Sequence, residues 1–270
     1  MELDAVHAAL SGTRFTDVRW VARTGSTNSD LLEAARAGAP EGLVEVAEEQ
    51  TAGRGRLDRT WAAPAGSSLL LSILLRPTLP LAQVHLVSTV VGIAASEACH
   101  QVAGVQPLLK WPNDLTVVGG ERFEGRKLAG ILAEAVLDGD RLDALVVGLG
   151  LNVTWPEQLP PELADIAVAL NHITGEAVDR AVLLPALLVR LEHWYGLLVD
   201  GGEDGRAAVL ARYRELSATI GRAVRAELPE GTVEGEAVDI TDGGHLLVRT
   251  ADGAVVEVTA GDVVHLRAAR

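Results

Sequence analysis

A chain of 270 residues with 48% hydrophobic residues can bury a sizeable core, which argues against disorder and leaves room for one large domain plus a small one. Aromatic residues make up only 3%, so the core must be built from Leu, Val, Ile and Ala. A formal net charge of −14 speaks against a general nucleic-acid binder, whose affinity rests on a basic footprint, and a single cysteine rules out an internal disulfide or a cysteine-rich metal site.

The N-terminus Met1-Glu2-Leu3-Asp4 is acidic and lacks a signal-peptide pattern, and no uninterrupted apolar run approaches the ~20 residues of a membrane span. A cytoplasmic protein with no membrane partner is the expectation. Ser26-Thr27-Asn28-Ser29 then precedes a helix-like stretch at 31–37, as small hydroxyl and amide residues do at helix starts, and Gly38 and Pro40 stop it. Residues 43–49 read as a strand, and 69–75 as a buried strand ending at Arg76-Pro77.

Residues 81–102 are apolar and Ala-rich, long enough for a core helix that Gly104 ends. Cys99 lies within it and reads as a buried inert thiol. A strand begins at 107–110. Asp138-Gly139-Asp140 looks like a hairpin turn joining apolar runs at 127–137 and 142–153, so the sheet is not purely parallel. Residues 181–198 read as a long amphipathic helix, followed by the loop Asp200-Gly201-Gly202 and a helix at 207–216. After Ile220 short β-rich runs alternate with Asp242-Gly243-Gly244 and Asp252-Gly253, the pattern of a small β-barrel of about fifty residues. The reading is α+β: a mixed, largely antiparallel sheet packed with helices over residues 1–217, and a small β-barrel domain over 218–270.

Four segments, in order, could carry chemistry. In Gln50-Thr51-Ala52-Gly53-Arg54-Gly55-Arg56, two glycines let the backbone approach a ligand and two guanidinium forks match carboxylate or phosphate. Alone, it could equally be a solvated basic turn or an RNA-contact patch. In Lys110-Trp111-Pro112-Asn113-Asp114, proline forbids helix and a lysine, an amide and a carboxylate project at a strand end. Lysine can meet phosphate and aspartate can hold Mg²⁺, but Asn and Asp also merely cap turns.

Lys127 opens the otherwise apolar strand Lys127-Leu128-Ala129-Gly130-Ile131-Leu132. Its ammonium either snorkels into water or stands opposite a developing negative charge, and Gly130 suggests close approach by a ligand. Gly148-Leu149-Gly150-Leu151-Asn152 repeats that suggestion on the partner strand. It is not a dinucleotide fingerprint, because Val153 stands where a third glycine is required. The seven histidines show no metal spacing, and no nucleophile elbow is present, so positioning and electrostatics are what these residues offer.

The ordered set resembles biotin–protein ligases: Ser-Thr-Asn, Gln-x-x-Gly-Arg-Gly-Arg, Lys-Trp-Pro-Asn-Asp, Lys-Leu-x-Gly-Ile-Leu and Gly-x-Gly-x-Asn all occur between Ser26 and Asn152. The resemblance implies the class II synthetase-like fold of biotin–lipoate ligases with an SH3-like C-terminal barrel. It implies formation of biotinyl-5′-adenylate from biotin and Mg-ATP, then transfer to a lysine of a biotin carboxyl carrier domain. It puts Ser26, Thr27, Asn28 and Gln50 beside biotin, with Gly53, Arg54, Gly55 and Arg56 around its carboxylate. Lys127 stabilises charge at the reacting oxygens with Arg54 and Arg56, while Gly130, Gly148 and Gly150 line the biotin ring. Arg56, Arg59, Trp61, Lys110, Asn113 and Asn152 face ATP, and Asp114 is the Mg²⁺ ligand.

Two departures from the family pattern stand out. Some members continue Gly-Arg-Gly-Arg with Arg-Gly-Arg, where this chain has Leu57-Asp58-Arg59-Thr60, which bears on loop flexibility. Only about two dozen residues precede Ser26, too few for a winged-helix DNA-binding domain, so no repressor role and no nucleic-acid partner are expected. The expected assembly is a monomer or weak homodimer. The rivals are a lipoate–protein ligase, a nucleic-acid module built on the Arg-Gly loop, and a catalytically dead adaptor.

Overall fold

The computed structural model describes residues 3–119, 122–228, 231–259 and 261–265. Residues 1 and 2 of the acidic start and 266–270 of the small domain lie outside them. Two β-sheets organise the chain. The larger has seven strands: β1 (Val18–Val21), β2 (Val44–Ala47), β3 (Ser68–Leu75), β4 (Leu108–Lys110), β5 (Asp114–Thr116), β6 (Lys127–Asp138) and β7 (Arg141–Asn152), in the order β1-β2-β3-β7-β6-β5-β4. Only the β1–β2 pair is parallel.

Every residue of β3 is buried, because the sheet is covered on both faces. On one face Leu69, Leu71, Ile73 and Leu75 join Leu145, Val147, Leu149 and Leu151 of β7 in the main core. That core is completed by α3 (Leu86–Ala103) and α6 (Arg180–Asp200). On the other face Leu74, Ala144 and Val146 pack under Leu31, Leu32 and Ala35 of α2 (Thr27–Arg36). Strand periodicity of two thus sends even-numbered β7 residues toward α2 and odd-numbered ones toward α3 and α6.

The shorter helices are α1 (Leu3–Ala9), α4 (Pro161–Ala164) and α5 (Leu170–Thr174), and α7 (Gly202–Leu216) follows α6 directly. The sequence reading placed a loop at 200–202 and began the last helix at 207. Instead Asp200 belongs to α6 and Glu203 and Asp204 lie in the first turn of α7, where carboxylates suit the positive end of the helix dipole. Cys99 is fully buried in α3 and its thiol is pushed up to about 12 by burial, so it is inert as expected. Among the described residues, two helical stretches, Leu81–Ala103 and Arg180–Asp200, are long and apolar enough to cross a membrane by length and composition. In this fold they pack against each other, and Val87, Val90, Val91, Leu184, Leu187 and Leu188 are all buried in the main core.

The second sheet contains β8 (Ala223–Leu228), β9 (Gly231–Ile240), β10 (Leu246–Arg249), β11 (Val255–Val258) and β12 (Asp262–His265), in the order β11-β10-β9-β8-β12, all antiparallel. The expected small C-terminal β-domain is present as this five-stranded sheet, and among the described residues its edges β11 and β12 do not pair. It is fastened to the larger domain at β4. Ala218 N–H donates to Leu109 O at 2.8 Å, Trp111 N–H to Thr219 Oγ1 at 3.0 Å, and Trp111 Nε1 to Gly244 O at 3.1 Å. The Trp111–Pro112 peptide is cis.

Candidate active site

The hairpin read around Asp138-Gly139-Asp140 is present, and its register builds the floor of a cavity of about 550 Å³. Gly130 of β6 lies directly opposite Gly150 of β7, and one cross-strand row runs Leu70, Gly150, Gly130, Asp114, Lys110. The next row is Ser72, Gly148, Leu132. Directly opposite residues share a face, so both glycine motifs open toward α2 and leave bare main chain there. All the residues assigned above to the site line this cavity except Gly53. Gly53 closes the root of the 53–61 segment, accepting Trp61 N–H at 2.9 Å.

In this structure the immediate neighbours of Gly130, Gly148 and Gly150 are side chains of the protein. A Cβ at Gly148 would stand 2.2 Å from Asn28 Oδ1. A Cβ at Gly150 would stand 2.4 Å from Trp61 Cε2, and one at Gly130 would stand 2.9 Å from Trp61 Cζ3. The missing side chains make room for Asn28 and Trp61, which then present their own surfaces to the cavity.

The start of α2 is held by a buried polar chain. Ser26 is the N-cap, yet its hydroxyl makes no capping bond. The Thr27 N–H is satisfied from elsewhere, donating to Gln50 Oε1 at 2.8 Å, and the Ser26 hydroxyl is left lining the cavity. The Ser72 hydroxyl donates to Asn28 Oδ1 at 2.5 Å and lies 2.7 Å from Thr27 Oγ1, whose own proton is within reach of both Ser72 Oγ and, at 3.1 Å, Gln50 Oε1. Asn28 Nδ2 donates to Leu132 O at 3.2 Å and to Glu134 Oε2 at 2.8 Å. The same Glu134 oxygen accepts Arg54 Nη2 at 2.7 Å. Ser72 and Glu134 were missed at the sequence level. The available signal was a buried hydroxyl inside the apolar strand at 69–75 and a carboxylate inside β6.

The Gly-Arg-Gly-Arg segment forms a tight hairpin. Arg54 bridges Thr60, Gly55 N–H donates to Arg59 O at 2.6 Å, and Arg59 N–H to Arg56 O at 3.2 Å. The two central turn residues, Leu57 and Asp58, have φ of 55° and 56°. That is the mirror-image turn in which glycine and asparagine are favoured, so the departure Leu57-Asp58 falls on the two positions where L side chains are strained. Arg56 donates from Nη1 to Asn113 Oδ1 and from Nη2 to Gly261 O, both at 3.2 Å, which ties the hairpin to the residue just before β12.

Lys127 Nζ stands 2.7 Å from Asp114 Oδ1 and 5.3 Å from the Trp61 ring centroid. The pair is close enough for an ion pair, but Asp114 Oδ1 is buried without an aligned hydrogen bond. Asn152 donates from Nδ2 to Val168 O at 3.0 Å, and its Oδ1 is likewise buried without a partner. Trp61 Nε1 is a third such atom. Among the described residues, Arg54, Arg56, Arg59, Lys110 and Lys127 line the cavity together with the carboxylates Asp114 and Glu227. A chain of net charge −14 therefore contains a cationic cavity, which is a site for an anion.

Comparison with known proteins defines the class. The sequence model of the Biotin/lipoate A/B protein ligase family matches residues 20–152, and that of the Biotin protein ligase C terminal domain matches 219–266. The chain belongs to the biotin–protein ligase family. It is 42% identical over 270 residues to the biotin–[acetyl-CoA-carboxylase] ligase of Mycobacterium tuberculosis, covering 98% of this chain and 94% of that one. It is 34% identical over 239 residues to the bifunctional ligase/repressor BirA of Bacillus subtilis, covering 88% and 70%. Its fold matches that of biotin protein ligase from Aquifex aeolicus, described in complex with biotin and ATP, with a TM-score of 0.77, 28% identity and coverage of 93% and 100%.

Proposed function

We infer that this chain is an ATP-dependent biotin–protein ligase. The observation that carries the reading is the cationic cavity laid over the paired Gly130 and Gly150, within a strongly acidic protein of this family. A biotin carboxylate oxygen attacks the α-phosphorus of ATP, the P–O bond to pyrophosphate breaks, and biotinyl-5′-adenylate forms. A carrier lysine amine then attacks the acyl carbon, and AMP leaves. Both nucleophiles belong to substrates, so the protein's part is to align two anions and neutralise their charge.

Lys127 and the hairpin arginines Arg54 and Arg56 supply that charge. Ser26 presents a free hydroxyl beside the Gln50–Thr27–Asn28 chain, where it can meet a polar ring. The hairpin 53–61 covers the cavity and keeps water from the mixed anhydride. Two buried oxygens without an aligned hydrogen bond, Asp114 Oδ1 and Asn152 Oδ1, are hard donors that would suit Mg²⁺, the first of them now ion-paired with Lys127. When bound, the ion would neutralise phosphate charge, while Lys127 balances the Asp114 carboxylate.

Biotin is favoured over lipoate because the C-terminal match is to a biotin protein ligase domain and the named relatives are biotin ligases. The second substrate in this reading is a biotin carboxyl carrier domain, the setting the cytoplasm, and the assembly a monomer or weak homodimer. The test is pyrophosphate release from Mg-ATP with biotin or lipoate as the acid and no carrier present. Release with biotin alone is expected; release with lipoate alone overturns the substrate.

A further inference from the structure

We propose that Glu134 is a positioning residue that latches the hairpin to the floor of the site and sets how long the acyl-adenylate is retained. The inference rests on the ligase reading and adds a residue that none of the five motifs contains. One oxygen, Oε2, accepts from both Asn28 Nδ2 at 2.8 Å and Arg54 Nη2 at 2.7 Å. Asn28 is buried and held on its other side by Ser72 and Leu132 O, so one partner of the carboxylate is rigid. Arg54 belongs to the hairpin, so the other partner moves with it.

An isolated ion pair as open as this one, with side chains 41% and 25% exposed, contributes little, because two flexible chains must be ordered to make it. Here the buried amide has already ordered Glu134, and the pair only has to hold Arg54. Glu134 does not line the cationic cavity. It lines a second cleft, behind the hairpin, with Leu132 and residues 51–60. A residue there touches no reacting atom and acts through Arg54. Arg56 separately ties the hairpin to Asn113 and to Gly261 O. Glu134 joins the hairpin, at Arg54, to Asn28 of α2.

The experiment compares wild type with Glu134→Gln, which keeps an oxygen for Asn28 but removes the charge, and Glu134→Ala. Two readouts are needed: escape of biotinyl-adenylate after single-turnover formation without carrier, and hydrogen exchange of the amides at 53–61 with no ligand. In Glu134→Gln, escape and hairpin exchange should each rise about five-fold, with pyrophosphate formation within about two-fold of wild type. Glu134→Ala should exceed that, and Glu134→Asp should fall between Gln and wild type. Unchanged hairpin exchange in Glu134→Gln overturns the proposal, whether or not adenylate forms. A fall in pyrophosphate formation with no change in escape overturns it too, because it would make Glu134 a substrate contact. Absence of adenylate in the wild type would fail the ligase reading instead, and the exchange readout would still judge the latch.

Discussion

The indole of Trp61 fills the space that a side chain at Gly150 would occupy, with Trp61 Cε2 2.4 Å from the position of that missing Cβ. A residue of the hairpin is thereby seated on the bare main chain where the two glycine motifs face each other. Gly150→Ala should expel the ring and lift the hairpin, raising KM for ATP about ten-fold or more while far-UV circular dichroism stays unchanged. An unaltered KM would mean that Trp61 takes no part in nucleotide binding.

Gly148 stands in the same relation to Asn28, at 2.2 Å, one row along the sheet. Gly148→Ala should push the amide off Ser72 and disturb the biotin side of the cavity. The expected outcome is a rise of about ten-fold in KM for biotin with a smaller change for ATP. Steady-state kinetics with each substrate varied in turn separates the two variants.

Lys127 sits between the Asp114 carboxylate and the Trp61 ring, where its charge is available to a nearby oxyanion. Lys127→Met should slow adenylation about a hundred-fold or more with little loss of biotin affinity, as expected for a charge used mainly in the transition state. Single-turnover pyrophosphate release and equilibrium biotin binding measure the two quantities. Asp114→Asn in the same background controls for the carboxylate left without its cation.

Arg56 links the hairpin to the second sheet through Gly261 O. Arg56→Ala should weaken ATP binding and also speed hydrogen exchange at 261–265, a segment remote in sequence. Faster exchange confined to the hairpin would show that the Arg56–Gly261 contact does not hold the small domain.

Glu45, beneath α2, has its carboxyl pushed up to about 7 from an ordinary 4.5, first by burial and then by the neighbouring Asp30 carboxylate. The unfolded chain therefore gives up this proton before the folded one does. Its contribution is fully present below pH 4.5, is lost as pH rises toward 7, and leaves a penalty above that. Glu45→Gln should match wild type near pH 4.5 and be more stable at pH 8 by on the order of 2 kcal/mol. Chemical denaturation at the two pH values tests this, and a pH-independent difference would refute it.

Much of the fold was legible because its signals are local. The buried strand at 69–75, the hairpin at 138–140, the helix ended by Gly104 and the turn-rich β-segment after Ile220 each depend on residues close in sequence. The junction at Gly201 was misread because a helix start is a weak signal when glycines precede it. The polar chain was only half legible: Ser-Thr-Asn and Gln50 lie in motifs, but Ser72 and Glu134 act through contacts 44 and 106 residues away in sequence from Asn28.

The sequence by itself determined which chemistry is available: two arginines among glycines, a lysine at the head of an apolar strand, paired glycines, and no metal cluster or nucleophile elbow. Only the tertiary structure decided where Lys127 points. Strict alternation along β6 would put residue 127 on the face opposite Gly130. The register instead slips between Leu115 and Thr116, pairing Leu115 with Ala129 and Thr116 with Lys127. That extra residue turns the lysine onto the face of Gly130, where a Cβ would lie 3.0 Å from Nζ. A bulge depends on how two strands meet, and neither strand's sequence alone contains that relationship.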